Sequence, residues 1–131
     1  MIALDTNILL RLLLADDLHQ LAKARRELAT VRDAAAGVFI NDIVLAEGFW
    51  TLRGSYGYSK DDVLLVLREL LNSAAFAFER RPVLQAACAM YEASAADFAD
   101  CLIVAKNGAI GCKYTATFDR AMRGLPVLKV L

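Results

Sequence analysis

The feature that most constrains this chain is an alternation of short apolar runs with helix-patterned stretches, each boundary marked by polar residues, glycine or proline. Ile2–Asp5 reads as a strand ending in an acid, and Val38–Ile40 as a second, buried strand. Ala75–Phe78, Cys112–Thr115 and Pro126–Val130 are the remaining short strands. Between them, Thr6-Asn7 cap a helix over Ile8–Leu14, and Asp16-Asp17 restart one that runs to about residue 35 and is ended by Gly37. Asn41-Asp42 cap a helix over about Ile43–Arg53, broken by Gly54 and Gly57, and Ser59 caps one over about Lys60–Leu71. Arg81-Pro82 open a helix to about residue 94, with proline in a first-turn position; another covers about Phe98–Asn107 and is closed by Gly108. Short buried strands alternating with helices predict an α/β fold, a parallel β-sheet flanked by helices on both faces. No linker or repeat interrupts the pattern, so residues 1–131 are expected to form a single domain.

Composition narrows the function. Hydrophobic residues make up 58%, yet no apolar run reaches the roughly 18 residues of a membrane span. The opening Met-Ile-Ala-Leu-Asp has no basic segment, so a cytoplasmic protein without a secretory signal is expected. Cys88, Cys101 and Cys112 lack the paired spacing of a zinc site and are expected as buried free thiols in a reducing compartment. His19, the one histidine, sits in a polar stretch and is expected on a helix surface, and no Gly-x-Ser-x-Gly elbow accompanies it. Fifteen basic and fifteen acidic residues give a formal net charge of zero, which weighs against tight non-specific nucleic-acid binding but leaves room for a local basic rim.

The acids carry the chemistry. Ligand sites in open α/β sheets form at the carboxyl ends of strands. Asp5 ends the first strand and Asp119 follows the Cys112–Thr115 strand, so both are expected at one end of the sheet if these strands are neighbours. Ile43, Ala46, Glu47 and Trp50 share one helix face, and a carboxylate among apolar residues loses solvation and needs a partner or a cation. Gly48 beside it removes bulk and leaves room for another group. The same spacing is compatible with Glu47 at the edge of the stripe, reaching water. Asp100 heads an apolar stripe with Ile103 and Val104, whereas Asp97 reads better as a helix cap. Taken together, Asp5, Glu47, Asp100 and Asp119 suggest a divalent-cation site. Hard oxygen donors suit Mg²⁺ or Mn²⁺, and two carboxylates about 4 Å apart repel by roughly 4 kcal/mol at an effective dielectric of 20. A bound water on such an ion is a ready nucleophile for a phosphodiester.

Ile2-Ala3-Leu4-Asp5-Thr6-Asn7-Ile8-Leu9-Leu10-Arg11 resembles the opening of PIN-domain proteins, particularly the VapC toxins. Leu45-Ala46-Glu47, Asp97-Phe98-Ala99-Asp100-Cys101-Leu102-Ile103, Thr117-Phe118-Asp119-Arg120 and the closing Leu125-Pro126-Val127 follow in the family's order. The resemblance implies a metal-dependent endoribonuclease acting on RNA, a homodimer, and a cognate antitoxin partner. It implies that Asp5, Glu47, Asp100 and Asp119 hold one or two Mg²⁺ or Mn²⁺ ions, that Asp97 is accessory, and that Thr6, Asn7 and Thr117 orient ligands by hydrogen bonds. Cys101, where many relatives carry alanine, and the polar helix end Lys106-Asn107 depart from the pattern without touching the acids.

Other classes compete. An inactive PIN-like domain that binds RNA or protein would be free to lose the acids, which are intact. A haloacid-dehalogenase-type phosphatase needs Asp-x-Asp at the first strand, and position 7 is Asn. A structural domain whose acids are all caps would bind no divalent cation. Arg11, Arg53, Arg120 and Arg123 suit phosphate contact and solvated helix faces equally.

Overall fold

The computed structural model describes residues 1–31 and 37–131, so the expected end of the second helix, near residue 35, lies outside the described residues. Chain contacts divide it into two compact units, one of Met1–Tyr58 with Asn72–Glu79, the other of Ser59–Leu71 with Arg80–Leu131.

In the first unit, β1 (Ile2–Ala3), β2 (Val38–Ile40) and β3 (Phe76–Phe78) form a parallel sheet in that order. α1 (Thr6–Leu14) and α2 (Leu18–Ala29) connect β1 to β2, and α3 (Asp42–Gly54) follows β2, so helices alternate with parallel strands as expected of an α/β chain. The first helix starts two residues earlier than its apolar pattern suggests. Its cap is Asp5, whose carboxylate accepts from the Thr6 amide at 2.7 Å, rather than Thr6-Asn7. Asp17 caps α2 through the Gln20 amide, and Asn41 caps α3 through the Val44 amide. Leu9, Leu10, Leu21, Ile40, Leu45, Phe49 and Leu52 supply the buried core of this unit, each such side chain contributing roughly 1.5–3 kcal/mol on burial. Gly37, immediately before β2, has φ +60°, and a Cβ there would stand 2.7 Å from the Ala75 carbonyl. Only glycine meets both conditions at this crossing toward β3.

In the second unit, α4 (Lys60–Asn72), α5 (Arg81–Ala93) and α6 (Phe98–Ala109) precede a two-stranded parallel ladder, β4 (Thr115–Thr117) with β5 (Leu128–Val130). Ser59 and Asp62 cap α4 reciprocally: the Ser59 hydroxyl accepts from the Asp62 amide, and the Ser59 amide donates to the Asp62 carboxylate. α5 packs on α6, with Tyr91 edge-on to Phe98 at 6.0 Å between centroids. The Lys60 ammonium lies 5.1 Å over the Tyr91 ring and donates to the Ser94 carbonyl, tying the start of α4 to the end of α5. Val63, Leu67, Leu84, Ala87, Cys101 and Leu102 fill this core. Most of the α4 leucines are core residues, Leu65 excepted, which is exposed.

β4 begins three residues later than the apolar pattern suggests, at Thr115 rather than Cys112. Its extent follows its partner: Thr115 pairs with Leu128 and Thr117 with Val130, while Cys112–Tyr114 stay exposed outside the ladder. Cys112 is therefore an exposed thiol, not a buried one, whereas Cys88 and Cys101 are buried as expected. β5 likewise starts at Leu128, because Val127 takes a left-handed φ of +52° while its carbonyl accepts from the Thr115 amide at 2.9 Å. His19 is exposed on α2. Among the described residues, no helix is long and apolar enough to cross a membrane.

Candidate metal centre

The first unit places Asp5 and Glu47 around one threonine. Asp5 follows the carboxyl end of β1, and Asn41-Asp42 and Glu79 follow those of β2 and β3, so polar residues line that edge of the sheet. The Thr6 amide donates to Asp5, and the Thr6 hydroxyl donates to Glu47 Oε2 at 3.1 Å. Thr6 is itself buried while both carboxylates are exposed, so its two donors set the carboxylates from a fixed base. Asn7 is exposed and lines a cavity of about 430 Å³ with Ile8, Arg11 and Lys23. Glu79, which the sequence pattern did not single out, accepts from the Asp42 amide at 2.8 Å and so closes the start of α3.

Glu47 does not sit on a buried apolar face. Ile43 and Trp50, its neighbours on that stripe, are 68% and 70% exposed. The buried side of α3 is Val44, Leu45, Gly48, Phe49 and Leu52. This helix is apolar on both sides, so spacing identifies the stripe without saying which one meets the core. Nor is Gly48 demanded by a close approach, since an added Cβ would meet Leu9 Cδ2 at an ordinary 3.7 Å.

The second unit sets Asp100 within electrostatic reach of Asp97 and of Asp119. Asp97 occupies the cap position of α6, yet its side chain makes no capping bond. Asp100, in the first turn, is half-buried. Burial, first, and then the charges of Asp97 and Asp119 push its carboxyl above the ordinary range, against a lowering contribution from the Asp97 backbone amide. Asp119 is exposed and caps the short 3₁₀ turn Arg120–Met122 by accepting from the Ala121 amide at 2.8 Å. The Thr117 hydroxyl accepts from the Asp119 amide at 3.0 Å, and Asn107 Nδ2 donates to the Thr115 hydroxyl at 3.0 Å, pinning β4 to α6. The sequence pattern gave no sign of this Asn107 contact. β1 and β4 belong to different ladders, one in each unit.

Of the arginines considered for phosphate, Arg11 is engaged by Asp16 and Gln20, and Arg53 by the Tyr58 carbonyl, whereas Arg120 and Arg123 are exposed beside Asp119. Among the described residues, no group of three or more His, Cys, Asp or Glu side chains is gathered closely enough to hold a metal ion. The donor chemistry nevertheless fits a hard divalent cation: every candidate ligand offers carboxylate oxygen, and the repulsion acting on Asp100 is a cost that a cation removes.

The class that the fold defines is an α/β chain of parallel strands with acids beyond the strand ends. Comparison with known families gives the identity at that level: the PIN domain model matches residues 2–128, and the chain belongs to the PIN-domain family. It is also similar to a VapC ribonuclease of Aquifex aeolicus (strain VF5), 25% identical over 122 residues, covering 93% of this chain and 90% of that protein.

Proposed function

We propose that this protein is a Mg²⁺- or Mn²⁺-dependent endoribonuclease that hydrolyses RNA phosphodiester bonds, the toxin of a type II toxin–antitoxin pair. The observation that carries the reading is the match of the PIN domain model to residues 2–128 of a chain that carries Asp5, Glu47, Asp100 and Asp119 in order. The likeness to a VapC ribonuclease supports RNA as substrate, and the resemblance of Ile2–Arg11 to the opening of the VapC toxins is the ground for a cognate antitoxin as partner. The reading includes a homodimer, a cytoplasmic location, and residues 1–131 working as one domain.

In this reading Asp5, Glu47, Asp100 and Asp119 are the metal ligands and Asp97 is an accessory acid. When bound, the metal supplies an acidified water as nucleophile and offsets charge on the scissile phosphate. The chain's own residues do the positioning. Thr6 holds the Asp5 and Glu47 carboxylates, and Thr117 holds the backbone that carries Asp119. Asn7 is assigned the same supporting role on α1. A second reading, a catalytically inactive PIN-like domain that binds RNA or protein, is favoured by one observation: among the described residues no three-carboxylate group stands ready for an ion.

The two separate in one experiment. Purified, antitoxin-free protein is incubated with total cellular RNA in Mg²⁺, in Mn²⁺ and in EDTA, beside Asp100→Asn. Metal-dependent cleavage lost in the variant, by at least roughly 100-fold, is the expected result. Absence of cleavage together with no divalent-cation heat in calorimetry would sink the nuclease and leave the binding domain.

A further inference from the structure

The two most exposed aromatic residues each neighbour a candidate acid in sequence. Among the described residues, the two most exposed aromatic side chains are Phe118, at 81%, and Trp50, at 70%; Tyr114 and Tyr56 follow well behind, at 43% and 40%. Each of the first two stands beside a candidate metal ligand in its own unit. Trp50 is one turn beyond Glu47 on the outer face of α3, with Ile43 one turn before it. Phe118 directly precedes Asp119 at the exit of β4. Large apolar faces left in water are costly, and Phe49, Tyr91 and Phe98 are buried where Trp50 and Phe118 are not.

Charge indicates what these faces are for. RNA binding usually rests on basic side chains that neutralise phosphates. This chain has no net charge to offer, and several arginines are already occupied: Arg11 by Asp16, Arg53 by the Tyr58 carbonyl, Arg68 by Glu92. Of the arginines considered for phosphate, Arg120 and Arg123 remain, both exposed near Asp119. Nucleobases are the uncharged part of the substrate, and an exposed indole or phenyl ring is the side chain that takes hold of an unpaired base.

We infer that Trp50 and Phe118 are base-stacking residues, which hold unpaired nucleotides beside the acids and supply, by stacking rather than by phosphate neutralisation, much of the affinity for single-stranded RNA. This rests on the nuclease reading above. Stacking requires exposed base faces, so the substrate segment is unpaired. It also requires binding to depend only weakly on salt, since each phosphate neutralised on a single strand steepens the log–log slope by about 0.7.

Trp50 is the one tryptophan of the chain, so intrinsic tryptophan emission reports on it alone. The full-length Asp100→Asn protein, chosen so that the strand survives, is titrated with end-labelled single-stranded oligoadenylate. The same strand annealed to oligouridylate, and inorganic polyphosphate, serve as controls. Binding is read by anisotropy of the label and stacking by quenching of the indole, at low and moderate salt. The expected result is binding with quenching by the single strand alone, a shallow salt slope, and roughly ten-fold weaker binding in Trp50→Ala and in Phe118→Ala. Trp50→Phe and Phe118→Tyr keep a ring and restore affinity. On RNA cut by the otherwise unaltered protein, the alanine variants raise KM far more than they lower kcat.

Binding without quenching, or a steep salt slope with alanine variants binding as the parent does, overturns stacking and leaves the nuclease standing. A blue shift of the emission that follows protein concentration, without response to oligoadenylate, assigns Trp50 to contact between copies and also overturns it. No binding to any strand, together with no metal-dependent cleavage, removes both readings at once.

Discussion

Asp5 and Glu47 in the first unit are held in the opposite way to Asp97 and Asp100 in the second. In the first, Asp5 and Glu47 are each met by a donor of the same residue, the amide and the hydroxyl of buried Thr6. In the second, Asp97 sits at a helix start without a side-chain capping bond, and Asp100 is burdened by burial and by its acidic neighbours. One arrangement uses hydrogen bonds to fix carboxylates in place. The other leaves like charges close, so that the electrostatic gain on binding a cation is large. Positioning and attraction are separate demands on any metal site, and each unit meets one of them among its own candidate acids.

The largest test of that contrast is loss of a single charge. Asp100→Asn is expected to remove metal-dependent cleavage, whereas a loosened anchor only weakens it. Thr6→Ala should lower metal affinity by about 10- to 100-fold, measured by calorimetry with Mn²⁺, and Thr6→Ser, which keeps the hydroxyl, should recover most of it. If serine behaved as alanine does, the hydroxyl contact to Glu47 would not be what holds the acid.

Stability turns the comparison around. An acid whose carboxyl is raised in the folded state disfavours folding when charged, so its penalty is full above the folded value and vanishes below the unfolded one, near 3.8. In EDTA at neutral pH, Asp100→Asn should therefore melt a few degrees higher than the parent protein. The gain should shrink as pH falls through the raised carboxyl range and be absent in strong acid. A loss in EDTA would mean that the bond to the Asp97 amide outweighs the crowding. Saturating Mg²⁺ should reverse the order, because only the parent protein then gains from the ion.

The smallest expected effect is at Asp16, held below the ordinary carboxylate range first of all by its bond to Arg11. Its contribution has the opposite sign, present above the unfolded value and lost as pH falls through the lowered one. The pair is solvent-exposed and screened, so Asp16→Asn should leave melting within error of the parent and never raise it. A rise comparable to that of Asp100→Asn would show that general charge reduction, not local crowding, explains both.

What the sequence disclosed follows the range of the interactions involved. Caps act within three residues, so Asn41, Ser59 and Pro82 were legible as helix starts. The parallel α/β order was legible because strand and helix periods differ. Asp5 and Asp119 were legible as acids beyond strand ends and Asp100 as an acid in a helix first turn, whereas Glu47 stands in the second turn of α3. The Thr6–Glu47 bond, which joins residues 41 apart, had no local signal. The placement of β4 was decided by Leu128–Val130, a partner that local hydrophobicity at Cys112–Tyr114 could not reveal. α3 shows the limit most plainly: with Leu45 and Phe49 on one side and Ile43 and Trp50 on the other, period alone could not tell core from surface.

The left-handed backbone at Val127 has a mechanical consequence. A β-branched residue in that conformation stores on the order of 1–3 kcal/mol, held in place by its neighbours. The Thr115 amide grips the Val127 carbonyl at one end of the ladder, and the Leu131 amide grips the Thr117 carbonyl at the other. The pair of strands is thus clamped like a rule between two stops, one of them under load. A slip by a single residue would turn Thr117 to the opposite face and carry Asp119 with it, so the loaded stop acts as the zero mark from which the position of this acid is measured.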